Sequence, residues 1–268
     1  MKNKYLWFTD THLNRVNLIK KMLFIRHILK ENPKAVFLTG DISTGMFLYY
    51  DLYLLATFVK CPIYFVLGNH DYWNSSIDKT HEKIKELCKK FPHLIWLSQS
   101  NAIALNDEAV IIGDEGWFDG WNGNTDYLKL TLDQYLIEDF RKYKSIDEKL
   151  VCWREMATKS SFNIEHKLCK ALDDGYKTIY IVTHFPPWIE ATRDRGTVLE
   201  QFWLPYNTNV SMGKTIERVM SKYTKSKVIV LCGHIHADTI IHVSSNIECK
   251  VNTNKHFGWL RNEELMFI

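Results

Sequence analysis

The sequence predicts an α/β fold. Short β-rich runs alternate with longer segments of helical period, the main β-rich runs lead directly into Gly, Asp, Asn or His, and no Pro-rich, Gly/Ser-rich or low-complexity stretch divides the 268 residues. Alternation of this kind builds a sheet with helices on its faces, and a chain without a linker buries one shared core.

Residues 5–8 (Tyr-Leu-Trp-Phe) read as the first strand. Asn14 is placed to cap a following helix whose apolar positions Leu18, Met22, Ile25 and Leu29 share one face, and Pro33 stops it. Residues 35–38 form the next strand, 46–59 a helix, 63–67 a third strand and 76–90 a further helix. Runs at 94–97, 102–105 and 109–112 are strands, with Asn106-Asp107 as a turn. Residues 126–173 are helical in character and interrupt the series. Strands return at 178–182 and 228–231 with a helix near 214–223 between them, and 239–243 pairs with 247–251 as a closing hairpin. The chain thus reads as a single domain over 1–268 carrying a helical, cap-like insertion at about 115–173.

Composition narrows the function classes. With 46% hydrophobic and 24% charged residues the chain is an ordinary globular protein. Its formal charge of +3 is too mild to mark a nucleic-acid binder, and the densest basic stretch, 79–90, also carries Glu82 and Glu86 and reads as a solvated helix face. The six cysteines (61, 88, 152, 169, 232 and 249) form no C-x-x-C pair and predict a reducing, cytoplasmic setting. The longest apolar stretch, 47–59, is broken by Asp51 and falls short of the roughly 20 residues needed to span a bilayer. No membrane span is expected, and the oligomeric state is not legible.

The informative pattern is where potential metal donors sit. Leu6-Trp7-Phe8-Thr9 leads into Asp10 and His12, Phe37-Leu38-Thr39-Gly40 into Asp41, and Val66-Leu67-Gly68 into Asn69, His70 and Asp71. Ile181-Val182-Thr183 leads into His184, and Val230-Leu231-Cys232-Gly233 into His234 and His236. Ligands of open α/β sheets bind beyond the carboxyl ends of the strands, so five separate segments deliver polar groups to one place. Asp10 and His12, like His234 and His236, are two apart, and in extended chain each pair points to one side. Any one of these motifs alone is more often turn chemistry or a loop histidine. Five in this order, each after an apolar run, are not. The histidines at 27, 81, 93, 166, 242 and 256 lack partners at useful spacing and are assigned to surface or core.

With Asp-x-His, Gly-Asp, Gly-Asn-His-Asp, a lone His and Gly-His-Ile-His in that order, the sequence resembles the calcineurin-like metallophosphoesterase superfamily, over residues 10–236 and in the motifs only. The resemblance implies two packed mixed β-sheets flanked by helices. It implies one metal held by Asp10, His12 and His236, a second by Asn69, His184 and His234, and Asp41 bridging them. It places His70 outside the ligand set, across the metal pair, where a cationic imidazole stabilises phosphoryl oxygens and protonates the leaving oxygen; Asp71 is adjacent to orient it. Imidazoles, two carboxylates and an amide without thiolate suit Mn²⁺ first, then Fe or Zn²⁺, ahead of Ca²⁺ or a lone Mg²⁺. Two such cations acidify water and spread the charge of an in-line displacement.

One departure narrows the activity. The family's protein phosphatases extend Gly-Asp with a further Asp and an Arg, whereas Asp41 here is followed by Ile42-Ser43-Thr44-Gly45. The expected substrate is therefore a nucleotide or other small phosphate ester, with a DNA nuclease as the alternative and a non-catalytic scaffold third. Substrate contacts are expected from Trp117 and Trp121 in the aromatic segment 115–121 and from Arg193 and Arg195 in segment 188–210, which also holds Trp203 and Tyr206. Aromatic rings stack on bases and Arg clamps phosphate, although the same rings would equally pack a loop onto the fold.

Overall fold

Alternate residues of the central strands face different partners, and this alternation sets the layers. In chain order the strands are β1 (Lys4–Phe8), β2 (Ala35–Thr39), β3 (Ile63–Val66), β4 (Leu94–Trp96), β5 (Ile103–Ala104), β6 (Ala109–Gly113), β7 (Thr178–Val182), β8 (Arg193–Asp194), β9 (Thr197–Val198), β10 (Lys227–Cys232), β11 (Thr239–Ser244), β12 (Ile247–Val251) and β13 (Glu264–Phe267). The helices are α1 (Leu18–Glu31), α2 (Gly45–Phe58), α3 (Ile77–Lys90), α4 (Asp133–Leu136), α5 (Ile146–Asp173), α6 (Leu204–Asn207) and α7 (Val210–Met220), with short 3-10 turns between. The computed structural model describes residues 4–194, 197–198, 203–252 and 264–267, with backbone alone for 193–194, 197–198 and 264–267.

Two mixed sheets result, with strand orders β13-β1-β2-β3-β4 and β11-β12-β10-β7-β6-β5. In β1, Tyr5 and Trp7 point between the sheets and meet Ile111, Tyr180, Val182 and Leu231 of the second sheet. Leu6 and Phe8 point the other way, onto α1, α2 and α3 through Phe24, Ile25, Leu48, Leu52 and Ile84. The second sheet turns Val110, Ile112, Ile179, Ile181, Val228 and Val230 onto Ile164 and Leu168 of α5 and Met212 and Ile216 of α7. The order is helices, sheet, sheet, helices: the period-2 alternation of each strand supplies two faces, and each face must be covered.

Strand positions match the expected runs closely, while helix ends and faces differ. Asn14 does not cap α1; it lies in a 3-10 turn (Leu13–Arg15), and Asn17 caps the helix by accepting from Lys20 N at 3.0 Å. The buried face of α1 is Phe24, Ile25 and Ile28, not the stripe through Leu18 and Leu29, which are 62% and 50% exposed. Apolar residues run around most of this helix, so periodicity alone does not choose which stripe meets the sheet. The helix expected near 214–223 begins at Val210, because Asn209 accepts from Met212 N. The 239–251 hairpin forms, but β12 continues the second sheet in parallel with β10, while β13 closes the edge of the first beside β1.

The interrupting segment divides in two. The long helix α5 begins at a capping box, Ser145 with Glu148, and beyond Ala157 it forms the outer helical layer over β6 and β7. Residues 125–140 instead form short turns around α4 that attach to the loop after β3 by Asn74 N→Leu136 O (2.7 Å) and Glu138 N→Ser75 O (3.0 Å). No helix among the described residues is long and apolar enough to cross a membrane.

Candidate metal centre

β1, β2 and β3 run parallel in one sheet, β7 and β10 in the other, and all five carboxyl ends open at the same place. Past these ends the chain stays paired: Asp10 N donates to Gly40 O (3.1 Å), His12 N to Asp41 O (3.0 Å), and Gly233 N to His184 O (3.0 Å). Seven described non-glycine residues have positive φ. Five of them are expected donors: Asp10 (48°), His12 (41°), Asp41 (50°), His234 (72°) and His236 (51°). Left-handed backbone costs an L-residue about 1–2 kcal/mol, and its concentration here marks a place where side-chain aim outweighs backbone preference. The space is equally tight. A Cβ on Gly68 would lie 2.2 Å from Asp41 Oδ1, and one on Gly233 would lie 2.3 Å from Asp10 Oδ2.

Five of the seven expected donors (Asp10, His12, Asp41, Asn69 and His184) are buried, His234 is half-buried, and the His236 side chain is 38% exposed at its edge of the cleft. Asp10 Oδ1 lies 3.2 Å from His236 Nε2, and His12 Nε2 lies 3.4 Å from His236 Nε2. Asp41 faces both ways: its Oδ1 is 3.3 Å from His184 Nε2 and its Oδ2 is 3.9 Å from His12 Nε2. Asn69 joins through Oδ1, 3.2 Å from His184 Nε2. His184 Nδ1 sits 2.8 Å from Thr39 O, which fixes the proton on Nδ1 and leaves the Nε2 lone pair turned inward, the tautomer a metal requires. The His234 ring lies 5.1 Å from that of His184, and its buried Nε2 has no hydrogen-bond partner.

Among the described residues, three donor groups have their ligand atoms within 4.8 Å of one another: Asp10, His12 and His236; Asp10, Asp41 and His184; and His12, Asp41 and His70. The first is one expected ligand triad, and Asp41 belongs to both of the others. His70 Nε2 is 3.7 Å from Asp41 Oδ2, so position alone does not separate it from the donors. Its ring stacks on Trp73 at 3.5 Å between centroids and 24° between planes.

The electrostatics suit cations. Burial pushes the Asp41 carboxyl well above its ordinary range, and the neighbouring charges of Asp10 and Asp71 push it further. Asp10 feels the same burial but is pulled well below the ordinary range by the imidazoles around it, His236 foremost. Burial lowers His12 to about 3 and moves His70, His184 and His234 below the ordinary imidazole range as well, while the Asp10 charge raises His236. Imidazoles around crowded, buried carboxylates form a donor set that suits divalent cations: ring lone pairs would gain an acceptor and the carboxylate repulsion would be offset. The seven expected donors therefore fit a candidate dinuclear site.

Other expected residues are placed differently. Asp71 turns away from His70 and accepts from the amides of Ile42 (3.3 Å), Ser43 (2.8 Å) and Gly68 (2.8 Å), tying the β2 and β3 loops together; burial raises it to about 7. Trp117 is 4% exposed and packs in the core among Tyr72, Phe118, Phe140 and Phe185. Trp121 is 61% exposed, with the Arg154 guanidinium over its ring at 3.8 Å. Arg195 lies outside the described residues, and of Arg193 only the backbone, in the β8-β9 ribbon, is described.

The motifs gave no warning of the network of Asp133, Trp73 and Tyr206 beside Asn69. Asp133 of α4 accepts from Asn69 Nδ2 (3.0 Å) and Trp73 Nε1 (2.7 Å), and the Tyr206 hydroxyl accepts from Asn69 Nδ2 (2.8 Å). Of these, only Tyr206 carried a sequence signal, as an aromatic between two ligand motifs.

The family model for calcineurin-like phosphoesterases matches residues 4–238. An uncharacterised protein of Acanthamoeba polyphaga mimivirus, L509, is 26% identical over 249 residues, covering 86% of this chain and 83% of that one. Among solved structures, phosphopantetheinyl hydrolase from Mycobacterium tuberculosis superposes with a TM-score of 0.68 at 13% identity, covering 99% of this chain and 96% of that one. A dimetal phosphatase from Danio rerio superposes at 0.56 and 10% identity, covering 94% and 87%. At these identities the two structures share the fold.

Proposed function

This chain belongs to the calcineurin-like phosphoesterase family, and from that premise we propose that it uses two divalent metal ions to hydrolyse a phosphodiester or phosphomonoester of a nucleotide or other small molecule. The observation that carries the reading is Asp41, a buried carboxylate whose two oxygens face His184 on one side and His12 on the other. In this reading Asp10, His12 and His236 hold one ion, Asn69, His184 and His234 the other, and Asp41 both. Bound divalent cations supply Lewis acidity, making water nucleophilic near neutral pH and offsetting charge on the phosphoryl oxygens. Mn²⁺ is the first choice on donor chemistry, with Fe or Zn²⁺ also suited.

The chain's own residues do the rest. His184 keeps its inward lone pair because Thr39 O holds its other ring nitrogen. Asp71 binds three backbone amides and keeps the β2 and β3 loops at fixed separation. His70, with its side chain 16% exposed at the cleft, is the group proposed to donate the proton to the leaving oxygen, its ring plane held by Trp73. The short turns of residues 125–140 and Trp121 are proposed to edge the cleft and contact the substrate beyond the phosphate. The mild net charge supports a small ester over a nucleic acid, and the cysteine pattern supports a cytoplasmic setting.

The test is metal analysis together with a hydrolysis panel: a nitrophenyl phosphodiester, phosphomonoesters, cyclic nucleotides, nucleotide diphosphates, and single- and double-stranded DNA. Two ions per chain, activity lost on chelation and restored by Mn²⁺, and preference for a small ester are expected. Full activity after exhaustive metal removal would sink the two-metal reading, and preference for DNA would replace the small-ester reading with the nuclease.

A further inference from the structure

We propose that Asp133 is a positioning residue for the metal centre, whose single carboxylate oxygen sets the direction of the Asn69 amide and the seat of the Trp73 ring beneath His70. The inference rests on the two-metal reading above and deepens it. Asp133 is fully buried at the start of α4, 64 residues from Asn69, and its Oδ1 accepts from both Asn69 Nδ2 and Trp73 Nε1.

The geometry distinguishes Asp133 from its neighbour Tyr206. A primary amide presents an oxygen acceptor on one side and two N–H donors on the other, and turning it over exchanges them. With Nδ2 shared between Asp133 and Tyr206, Oδ1 faces His184 and the donor cluster. The Tyr206 hydroxyl also hydrogen-bonds Asp133, and with its proton given to that carboxylate it too presents Asn69 only with an acceptor, so its orientation follows from Asp133. An ionised carboxylate only accepts, so an overturned Asn69 would set its oxygen against Asp133 and its N–H toward the cations. Asp133 is therefore the neighbour that discriminates. Trp73 can only donate, and the same oxygen gives its indole N–H an acceptor, holding the ring that stacks on His70.

The arm carrying Asp133 is itself anchored. Asn74 N→Leu136 O (2.7 Å), Glu138 N→Ser75 O (3.0 Å) and Ile77 N→Asp139 Oδ2 (2.7 Å) join residues 136–139 to the chain just after His70. Lys149 Nζ reaches Gln134 Oε1 (3.1 Å) from α5. Asn69 and Asp133 are thus fixed with respect to each other by backbone on both sides, the condition for one side chain to aim another.

Titration of the full chain with Mn²⁺ and with Zn²⁺, read by calorimetry and by metal content after gel filtration, tests this without relying on turnover. Asp133→Ala should weaken one of two binding events by roughly 10–100-fold, the usual scale for losing a residue that orients a ligand. Asp133→Asn, which keeps an accepting oxygen, should stay within a few-fold of the wild type, and Tyr206→Phe should lose less than Asp133→Ala. In an Asn69→Ala background Asp133→Ala should add no further loss, because the effect passes through Asn69. Melting curves verify that each variant is folded; if Asp133→Ala is not, Asp133→Ser carries the same comparison. A folded Asp133→Ala or Asp133→Ser with two wild-type affinities, or a loss that simply adds to that of Asn69→Ala, overturns the proposal. A wild-type chain that binds no metal would fail at the two-metal reading instead.

Discussion

The loops after β1, β2 and β10 and the arm around α4 reach one centre by different physics. Asp10, His12, Asp41, His234 and His236 sit on left-handed backbone and aim their side chains by local chain geometry. The arm reaches Asn69 with a single buried carboxylate on α4, and its position is set by hydrogen bonds to the loop after β3. A donor held by strained backbone has no slack: a substitution removes the ligand atom and leaves its neighbours crowded. A residue that acts through another leaves the donors in place when it is lost. Damage should therefore fall steeply from the loops outward.

The largest effect tests the inner region. Asp41→Asn should lower turnover by about 10³-fold, since several kcal/mol of charge stabilisation depend on the carboxylate and each 1.36 kcal/mol is tenfold, and it should reduce metal content at both sites. One ion bound as tightly as in the wild type with normal turnover would show that Asp41 does not serve two ions. Next, His70→Asn should keep both ions and lower turnover by about 10²-fold, with the loss shrinking for esters whose leaving groups need no proton. Equal losses for nitrophenyl and alkyl esters would assign His70 to charge stabilisation alone.

The outer region separates two tryptophans that the sequence treats alike. Trp117→Ala removes a buried ring packed on Phe140 and Phe185 and should cost about 3–5 kcal/mol, lowering the melting temperature and every activity in parallel. A normal melting temperature with altered substrate preference would return Trp117 to the substrate side. Trp121→Ala should change stability least, by about 0.5–1 kcal/mol, the worth of an exposed cation–π pair with Arg154. If Trp121 contacts substrate as proposed, the ratio of nucleotide to nitrophenyl ester turnover should shift without a change in melting. An unchanged ratio removes it from the cleft.

The sequence by itself determined the α/β alternation, the strand positions and the candidate donors, because each candidate follows a strand within a few covalent bonds and strand period is a local property. Through the family pattern it also carried the two-sheet architecture. Only the tertiary structure decided which stripe of α1 is buried, that Asp71 clamps the β2 and β3 loops instead of His70, that Trp117 is core, and that α5 covers the second sheet. It alone brought Asp133 and Tyr206 to Asn69, across 64 and 137 residues. Contacts over such separations leave no period or spacing in the chain. They exist only once two sheets have packed and the loops between them have been fixed against one another, so the chemistry was written locally and its aim was set at a distance.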